Sequence, residues 1–246
     1  MKNDQFFDIV SSFYDKMVNP LSSISKKEEF FKSIIKKNFQ IAADLGCGSG
    51  NDSIALTRNG FKVYAFDPSK EMIKVAKRNT QSLKNIKFIR AYIHKIPERF
   101  NNFFHLTVSL GNTLSNISPE LLGVSLQRIY SIMSDNSLFV FQILNYSFLK
   151  KHKRKIINII RNDSQYYIRY NEYLDNNKII FNILKFEMDN PSNYSLLSTT
   201  LFHYDLNTLL KYLKQIGFRK ISFYSDFSFN KFSNNGSSEL IGIAEK

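Results

Sequence analysis

The stretch "AADLGCGSGND", residues 42–52, decides the fold of this chain. An apolar run ends there in Asp44, and glycines follow at positions 46, 48 and 50. Glycine loses more backbone entropy on folding than any other residue, so a cluster of it indicates unusual dihedral angles or a ligand lying against the backbone. The chain has only nine glycines, and three of them lie in this loop. The stretch therefore predicts a ligand-binding loop between a buried strand and a helix.

Strand-like and helix-like patterns alternate outward from this loop. Strands are predicted over 40–45, 61–67, 85–91, 103–111 and 137–144, and helices over 4–17, 26–37, 51–60, 68–79 and 118–134. This alternation predicts an α/β fold with a Rossmann-like, doubly wound sheet, mostly parallel and joined by right-handed crossovers. A last helix over 205–217 and a pair of strands over 218–227 and 238–246 complete the sheet with an antiparallel C-terminal strand.

The pattern changes after residue 150. Three β-rich runs, 165–174, 178–188 and 194–204, are separated by the turn sequences "DNN" and "DNPSN". We therefore expect two parts: a main domain made of residues 1–150 and 204–246, and an inserted antiparallel β segment over 151–203.

Composition limits the partners and the compartment. The formal charge of +13 raises the question of nucleic acid, but lysine is abundant throughout and the densest cluster, Lys150–Lys155, is interpreted as solvated surface. The single cysteine, Cys47, excludes an intramolecular disulfide and fits a reducing compartment. The N-terminal residues lack the long apolar segment of a signal peptide, so none is expected. No apolar run approaches the ~20 residues of a membrane span. A cytoplasmic protein is expected.

Two acids distinguish between ligands for the glycine loop, which lies where an open parallel sheet binds its ligand. A dinucleotide prefers G-x-G-x-x-G, but Asn51 occupies the third glycine position. Asp44 is poorly placed beside a pyrophosphate and suits a ligand that carries an ammonium and a sulfonium group. Asp67, which ends the second strand, lies at the spacing of a ribose-binding acid; alone it could equally cap the helix that follows. Together the two acids favour S-adenosylmethionine.

The stretch "LGCGSGNDSIALTRNGFKVYAFDPSKEMIKVA", residues 45–76, resembles class I S-adenosylmethionine-dependent methyltransferases. It is most similar to the small-molecule branch that contains the glycine and sarcosine N-methyltransferases. Two further elements carry this resemblance: "VSLGNTLSNIS" (108–118), similar to that branch's L-G-N-S-x-x-H-L, and "ILNYSFL" (143–149), similar to its N-Y-D-x-I-L.

The resemblance implies a set of site residues. S-adenosyl-L-methionine would be bound by Tyr14, Asp44, Gly46, Cys47, Gly48, Asp67, Pro68, Met72, Tyr92, Ile93 and Leu110. Substrate would be bound by Asn112, Asn116, Asn145 and Tyr146, and by Arg169 and His203 from the predicted insert and its end. The insert would act as a substrate lid. No catalytic base and no metal ligand is assigned, because a sulfonium methyl is already a good electrophile and an amine that binds neutral needs no base.

The chain departs from the branch at three positions. Tyr92 stands where the third strand is usually followed by Asp or Asn, Asn116 replaces a histidine, and Ser147 replaces the Asp of N-Y-D. The replacements at Asn116 and Ser147 weaken the case for glycine as the substrate. The prediction is methyl transfer to a small molecule, an amine or amino-acid-like nitrogen, by a monomer or homodimer, with S-adenosyl-L-homocysteine as the product.

Two alternatives stay open. The first is an RNA methyltransferase, although "LGNT" (110–113) lacks the proline and aromatic residue of the element that grips a base amino group. The second is a protein that binds S-adenosylmethionine but has lost catalysis, which the intact Asp44, Asp67 and Asn112 oppose.

Overall fold

The computed structural model describes residues 2–18 and 20–246. The strands are β1 Ile41–Leu45, β2 Lys62–Asp67, β3 Ile86–Arg90, β4 Phe104–Ser109, β5 Met133–Leu144, β6 Ile156–Asn162, β7 Gln165–Tyr173, β8 Lys178–Glu187, β9 Asn190–Phe202, β10 Arg219–Tyr224 and β11 Glu239–Glu245. The helices are α1 Asn3–Val10, α2 Tyr14–Met17, α3 Pro20–Ile34, α4 Asn51–Arg58, α5 Lys70–Asn79, α6 Pro119–Ile132, α7 Tyr146–Lys151 and α8 Leu206–Ile216. None of the described helices is long and apolar enough to cross a membrane.

Seven strands form the main sheet in the order β10-β11-β5-β4-β1-β2-β3. β1 runs parallel to β2 and β4, β2 to β3, and β4 to β5, whereas β11 runs antiparallel to both β5 and β10. This confirms the predicted Rossmann-like sheet with its antiparallel C-terminal strand. The carboxyl ends of the parallel strands therefore lie at one edge, where α/β sheets of this kind bind ligands.

Helices cover both faces of this sheet, as the short apolar run of β1 requires. Ala43 and Leu45 face the core formed with α6 and α8, and Ala42, one residue away, faces the core formed with α3 and α4. All three side chains are fully buried. Alternate residues of a strand point to opposite faces, so a strand buried on both sides is a continuous apolar run instead of an alternating one.

A second, antiparallel sheet of four strands has the order β6-β7-β8-β9. It lies within the predicted insert, and its inner face packs on α1. Tyr167 and Ile183 of this sheet are buried with Phe6 and Val10 of α1, and the same cluster contains Met72 at the start of α5. The second sheet and α1 therefore meet above the carboxyl edge of the main sheet.

Several predicted boundaries differ from the structure. The helix expected over 4–17 is interrupted at residues 11–13, and α3 begins at Pro20, six residues before the expected start. Pro68 precedes α5 instead of opening it, because Ser69 is the N-cap and its Oγ accepts the backbone N–H of Met72 at 3.0 Å. β6 and α7 were not predicted.

Candidate active site

A cavity of about 470 Å³ lies at the carboxyl ends of β1, β2 and β4. The glycine loop forms its floor with Gly46, Cys47 and Gly48, and Asp67 and Leu110 stand at its sides. Residues of α1, Tyr14 of α2 and Arg169 of β7 line it from above. The cavity therefore lies between the ligand-binding edge of the main sheet and the second sheet.

Hydrogen bonds tie the glycine loop to β2. The backbone N–H groups of Gly46 and Cys47 both donate to the carbonyl of Phe66, at 2.8 and 3.1 Å. Asp67 accepts the N–H of Gly48 on Oδ2 and the N–H of Ser69 on Oδ1, each at 2.9 Å. A carboxylate oxygen has a second lone pair, so both oxygens can still accept a ligand hydroxyl. Burial raises the pKa of Asp67 to about 6, despite these two hydrogen bonds.

Asp44 lies beneath the loop and does not line the cavity. Its side chain is fully buried, and Oδ2 accepts a hydrogen bond of 2.6 Å from the Ser53 hydroxyl. The other oxygen, Oδ1, has no hydrogen-bond partner among the residues that the structure describes. Burial, helped by the neighbouring Asp52, raises the pKa of Asp44 well above its usual range. A positively charged ligand group nearby would satisfy this atom and stabilise its ionised form.

An ion pair that the sequence did not reveal lines the same cavity. The Lys27 ammonium of α3 contacts Oδ1 of Asp52 at the start of α4, and both side chains are almost fully buried. Burial alone would lower the pKa of Lys27, but the Asp52 carboxylate reverses this and raises it overall. Lys27 therefore stays charged and keeps N–H donors for a ligand. Residue type alone could not have identified it among the lysines of this chain.

The far end of the cavity combines apolar and amide groups. Met72 and Pro68 line it, and the Tyr92 hydroxyl donates to Oδ2 of Asp4 at 2.7 Å. Oδ1 of Asn116 is buried there and has no partner within the described residues, so it can accept a ligand N–H. Ile93, which was expected beside Tyr92, is buried outside this cavity.

Asn112, Asn145, Tyr146 and His203, four of the predicted substrate residues, do not line the cavity. The Asn112 amide donates to the Tyr146 hydroxyl at 2.7 Å, and its carbonyl oxygen accepts the N–H of Leu144 at 2.9 Å. The hydrogen bonds of Asn112 thus connect the segment that follows β4 with the end of β5 and the start of α7. Of the predicted substrate residues, Asn116 and Arg169 do line the cavity.

The side chains of Asn145 and His203 have partners elsewhere. Asn145 caps α7 by accepting the N–H of Phe148, and its amide donates to the carbonyl of Ser237 at 2.8 Å. Nε2 of His203 lies 3.2 Å from the Ser147 hydroxyl, outside the cavity.

Gln142 and Glu239 also line the cavity and were missed from the sequence. Nε2 of Gln142 donates to Oε2 of Glu239 at 3.1 Å, and Oε1 of Gln142 accepts the N–H of Asn112 at 3.1 Å. Burial raises the pKa of Glu239. Glu239 is far from the glycine loop in sequence and reaches this site only because β11 pairs with β5, so no local motif could have indicated it.

These groups fit an elongated ligand with an amino-acid end and vicinal hydroxyls. Asp67 has two oxygens with free lone pairs for hydroxyls, Lys27 has donors for a carboxylate, and the orphaned oxygen of Asp44 suits an ammonium. Met72 supplies an apolar surface for a flat ring. The donor set is thus compatible with S-adenosylmethionine.

A family model described as a methyltransferase domain matches residues 42–136. The demethylmenaquinone methyltransferase of Staphylococcus aureus (strain MRSA252) is 27% identical over 141 residues, which is 54% of this chain and 56% of that protein. The chain therefore matches only about half the length of this curated relative.

Two solved structures share the fold over nearly their whole length. An S-adenosylmethionine-dependent methyltransferase from Clostridium acetobutylicum ATCC 824 has a TM-score of 0.77 and 19% identity, over 97% of this chain and 98% of that one. The CcbJ methyltransferase from Streptomyces caelestis has a TM-score of 0.81 and 13% identity, over 98% and 97%. The domain match supports the predicted methyltransferase, and the two solved structures show that the chain shares their fold. They do not confirm the branch of the glycine and sarcosine N-methyltransferases.

Proposed function

We propose that this chain transfers the methyl group of S-adenosylmethionine to a small molecule, an amine or amino-acid-like nitrogen, and releases S-adenosylhomocysteine. The observation that carries the proposal is the cavity over the glycine loop, which both Asp67 and Lys27 line. The second sheet and α1 lie above the cavity. This cover leaves room for a small-molecule acceptor and therefore favours a small molecule rather than a folded RNA.

The chain's own residues would each hold one part of the cofactor. Asp67 would accept the two ribose hydroxyls, and Met72 and Tyr92 would lie against the adenine. Lys27 would hold the carboxylate of the methionine part, and Asp44, beneath the loop, would stabilise its ammonium through charge. Cys47 is buried in the loop, and burial raises the pKa of its thiol well above the usual value, so it acts as packing and not as a nucleophile.

When bound, the cofactor supplies a sulfonium methyl that an amine can attack directly. The protein then has to hold the acceptor nitrogen in line with the breaking bond, about 3 Å from the methyl carbon, and to exclude water. No general base is part of this proposal.

We assign the role of a lid to the inserted segment over 151–203, with residues 1–150 and 204–246 as the methyltransferase domain. Arg169 supports this assignment because it projects from β7 into the cavity lining, where Asn158 of β6 holds its Nε at 2.7 Å. A guanidinium held in this way can bind an acidic group of the acceptor.

Glycine itself is a weak candidate for the acceptor. Asn116 and Ser147 replace the residues of the N-methyltransferase branch, and Ser147 bonds His203 outside the cavity. A non-amine small molecule is a second candidate, because the curated relative is named for demethylmenaquinone.

Incubation with methyl-labelled S-adenosylmethionine and a fractionated cell extract tests the proposal. Amine, quinone-containing lipid and RNA fractions are offered separately, and label is expected in the amine fraction. Label in the lipid fraction would favour the quinone-type acceptor, and label in RNA would overturn the small-molecule proposal. Cofactor binding without any transfer would favour a protein that has lost catalysis.

A further inference from the structure

A second depression adjoins the cavity from outside. It lies between α3 and the segments 225–229 and 236–239, and has a volume of about 1080 Å³. We call it the α3 groove. Ser23, Phe227 and Glu239 line both the α3 groove and the cavity over the glycine loop, so the two spaces meet at these residues.

Glu239 stands at this junction, and its side chain is half-buried. Its Oε2 accepts a hydrogen bond of 3.1 Å from Gln142. Five ion pairs occur within residues 2–18 and 20–246, and none of them includes Glu239, although its side chain is half-buried. A half-buried carboxylate without a cation within ion-pair distance keeps lone pairs that a cationic ligand group can use, and the more distant charges of Lys27 and Lys26 only partly offset the rise in its pKa that burial causes.

We propose that the α3 groove admits the methyl acceptor and that Glu239, at its inner end, binds the acceptor's amine nitrogen. This inference rests on the proposed function and narrows it to an acceptor whose nitrogen is held by a carboxylate. Gln142 orients Glu239 through its Nε2. The Oε1 of the same Gln142 side chain accepts the N–H of Asn112, in the loop that follows β4.

The charge movement in the reaction gives Glu239 a catalytic part. The amine reacts in its neutral form, so an acceptor bound as an ammonium first releases one proton to water through the α3 groove. The nitrogen lone pair then forms the new N–C bond, the S–C bond breaks, and its electron pair stays on the sulfur of S-adenosylhomocysteine. The positive charge thus moves from sulfur to nitrogen. A fixed carboxylate beside the nitrogen stabilises this charge as it develops, and it does so more strongly in a site shielded from water.

Binding of two probes to the protein saturated with S-adenosylhomocysteine tests the inference. Benzylamine carries an ammonium group at neutral pH, and benzyl alcohol has the same shape without the charge. We expect the wild type to bind benzylamine at least about tenfold more tightly by calorimetry. Glu239→Gln should reduce this preference to about twofold or less, since it keeps the size and the acceptor for Gln142 but loses the charge.

Two controls make the result specific. Glu98→Gln removes the same charge at an exposed position outside both spaces and should keep the wild-type preference. Glu239→Gln should bind S-adenosylhomocysteine within about threefold of the wild type, and its melting curve shows that it is folded.

The outcomes separate this inference from the function on which it rests. Failure of the wild type to bind S-adenosylhomocysteine would overturn the proposed function. Three results, each with normal cofactor binding, would overturn the amine site alone. The wild type binds the two probes with equal affinity, it does not bind benzylamine up to about 20 mM, or Glu239→Gln keeps the preference for benzylamine.

Discussion

Oδ2 of Asp67 accepts the backbone N–H of Gly48 at 2.9 Å, so the acid that ends β2 is bound directly to the loop that follows β1. Its other oxygen accepts the N–H of Ser69 and so also positions the start of α5. Asp67 is therefore both a proposed ribose ligand and a fixed part of the loop geometry. Substitutions of Asp67 have to separate these two effects.

Asp67→Ala is expected to weaken S-adenosylhomocysteine binding by about ten- to a hundredfold, because it removes two charge-assisted hydrogen bonds worth roughly 1.5–3 kcal/mol each before solvent compensation. It should also lower the melting temperature, since the N–H groups of Gly48 and Ser69 lose their acceptor. Asp67→Asn keeps one acceptor oxygen and should cost less in both respects. Titration calorimetry and thermal melting of the two variants measure the effects, and wild-type affinity in folded Asp67→Ala would show that Asp67 only holds the loop.

Cofactor affinity should depend on pH through the same residue. Burial raises the pKa of Asp67 to about 6 from 3.8, and only the ionised carboxylate can accept both ribose hydroxyls. Affinity should therefore fall as the pH falls below about 6, by up to about tenfold per pH unit. The effect on the ligand-free protein has the opposite sign: the folded state binds this proton more tightly, so the contribution of Asp67 to the free energy of unfolding decreases as pH rises from 3.8 to about 6.

Asp67→Asn is the control for this pH dependence, because it cannot ionise at that position. Calorimetry between about pH 5 and 8 should show a weaker acidic decline in the variant than in the wild type. Identical declines would assign the titration to another group, of which Asp44 is the nearest candidate.

The sheet was predictable because its signals are local. β1 is a continuous apolar run bounded by Asp44 and a glycine loop, and Asp67 ends a second such run, so both the strands and the edge at which they meet follow from short segments. The lining residues Lys27 and Glu239 could not be predicted in this way. Lys27 reaches the cavity because α3 packs on α4, and Glu239 because β11 inserts beside β5, which are tertiary relationships without a local sequence signature.

Motif similarity correctly predicted that several residues lie close to the site, but it did not predict where their side chains point. Asn112 lies between Gly111 and Thr113, which both line the cavity, yet its amide group is hydrogen-bonded to the Tyr146 hydroxyl and the N–H of Leu144. A motif fixes the path of the backbone, whereas the direction of a side chain depends on which partners the fold brings within hydrogen-bond distance.

Lys27→Met should destabilise the protein, because it leaves the Asp52 carboxylate buried beside Asp44 without its cation. Loss of one partner of a buried pair costs about 3–5 kcal/mol, and the small remaining exposure of this pair places the expected loss near 2–4 kcal/mol. The double variant Lys27→Met/Asp52→Asn should recover most of the stability. If Lys27 also holds the cofactor carboxylate, both variants should bind S-adenosylhomocysteine at least about tenfold more weakly. Urea unfolding and calorimetry measure the two quantities, and wild-type affinity in the double variant would restrict Lys27 to a structural role.

Cys47→Ala is expected to retain most activity, with kcat/KM within about threefold of the wild type. The thiol is almost fully buried in the glycine loop, and burial raises its pKa, so little thiolate forms at neutral pH. Removal of the sulfur should cost about 1 kcal/mol of stability through lost packing. Loss of all transfer with normal cofactor binding would instead mean that the thiol takes part in the chemistry.

Gly48→Ala and Gly60→Ala form a matched pair that tests where the cofactor lies. Both glycines have positive φ, +52° and +88°, and an added Cβ at either position would meet no heavy atom of the described residues within 4 Å. Backbone strain should therefore lower the stability of the two variants by a similar amount, about 1–2 kcal/mol. Gly48 lines the cavity, whereas Gly60 follows α4 outside it, so only the Cβ at position 48 can occupy ligand space. We expect S-adenosylhomocysteine affinity to fall at least about tenfold in Gly48→Ala and to remain unchanged in Gly60→Ala. Calorimetry at matched folded fractions compares the two affinities. Equal affinities would mean that the cofactor does not lie against the backbone of the glycine loop.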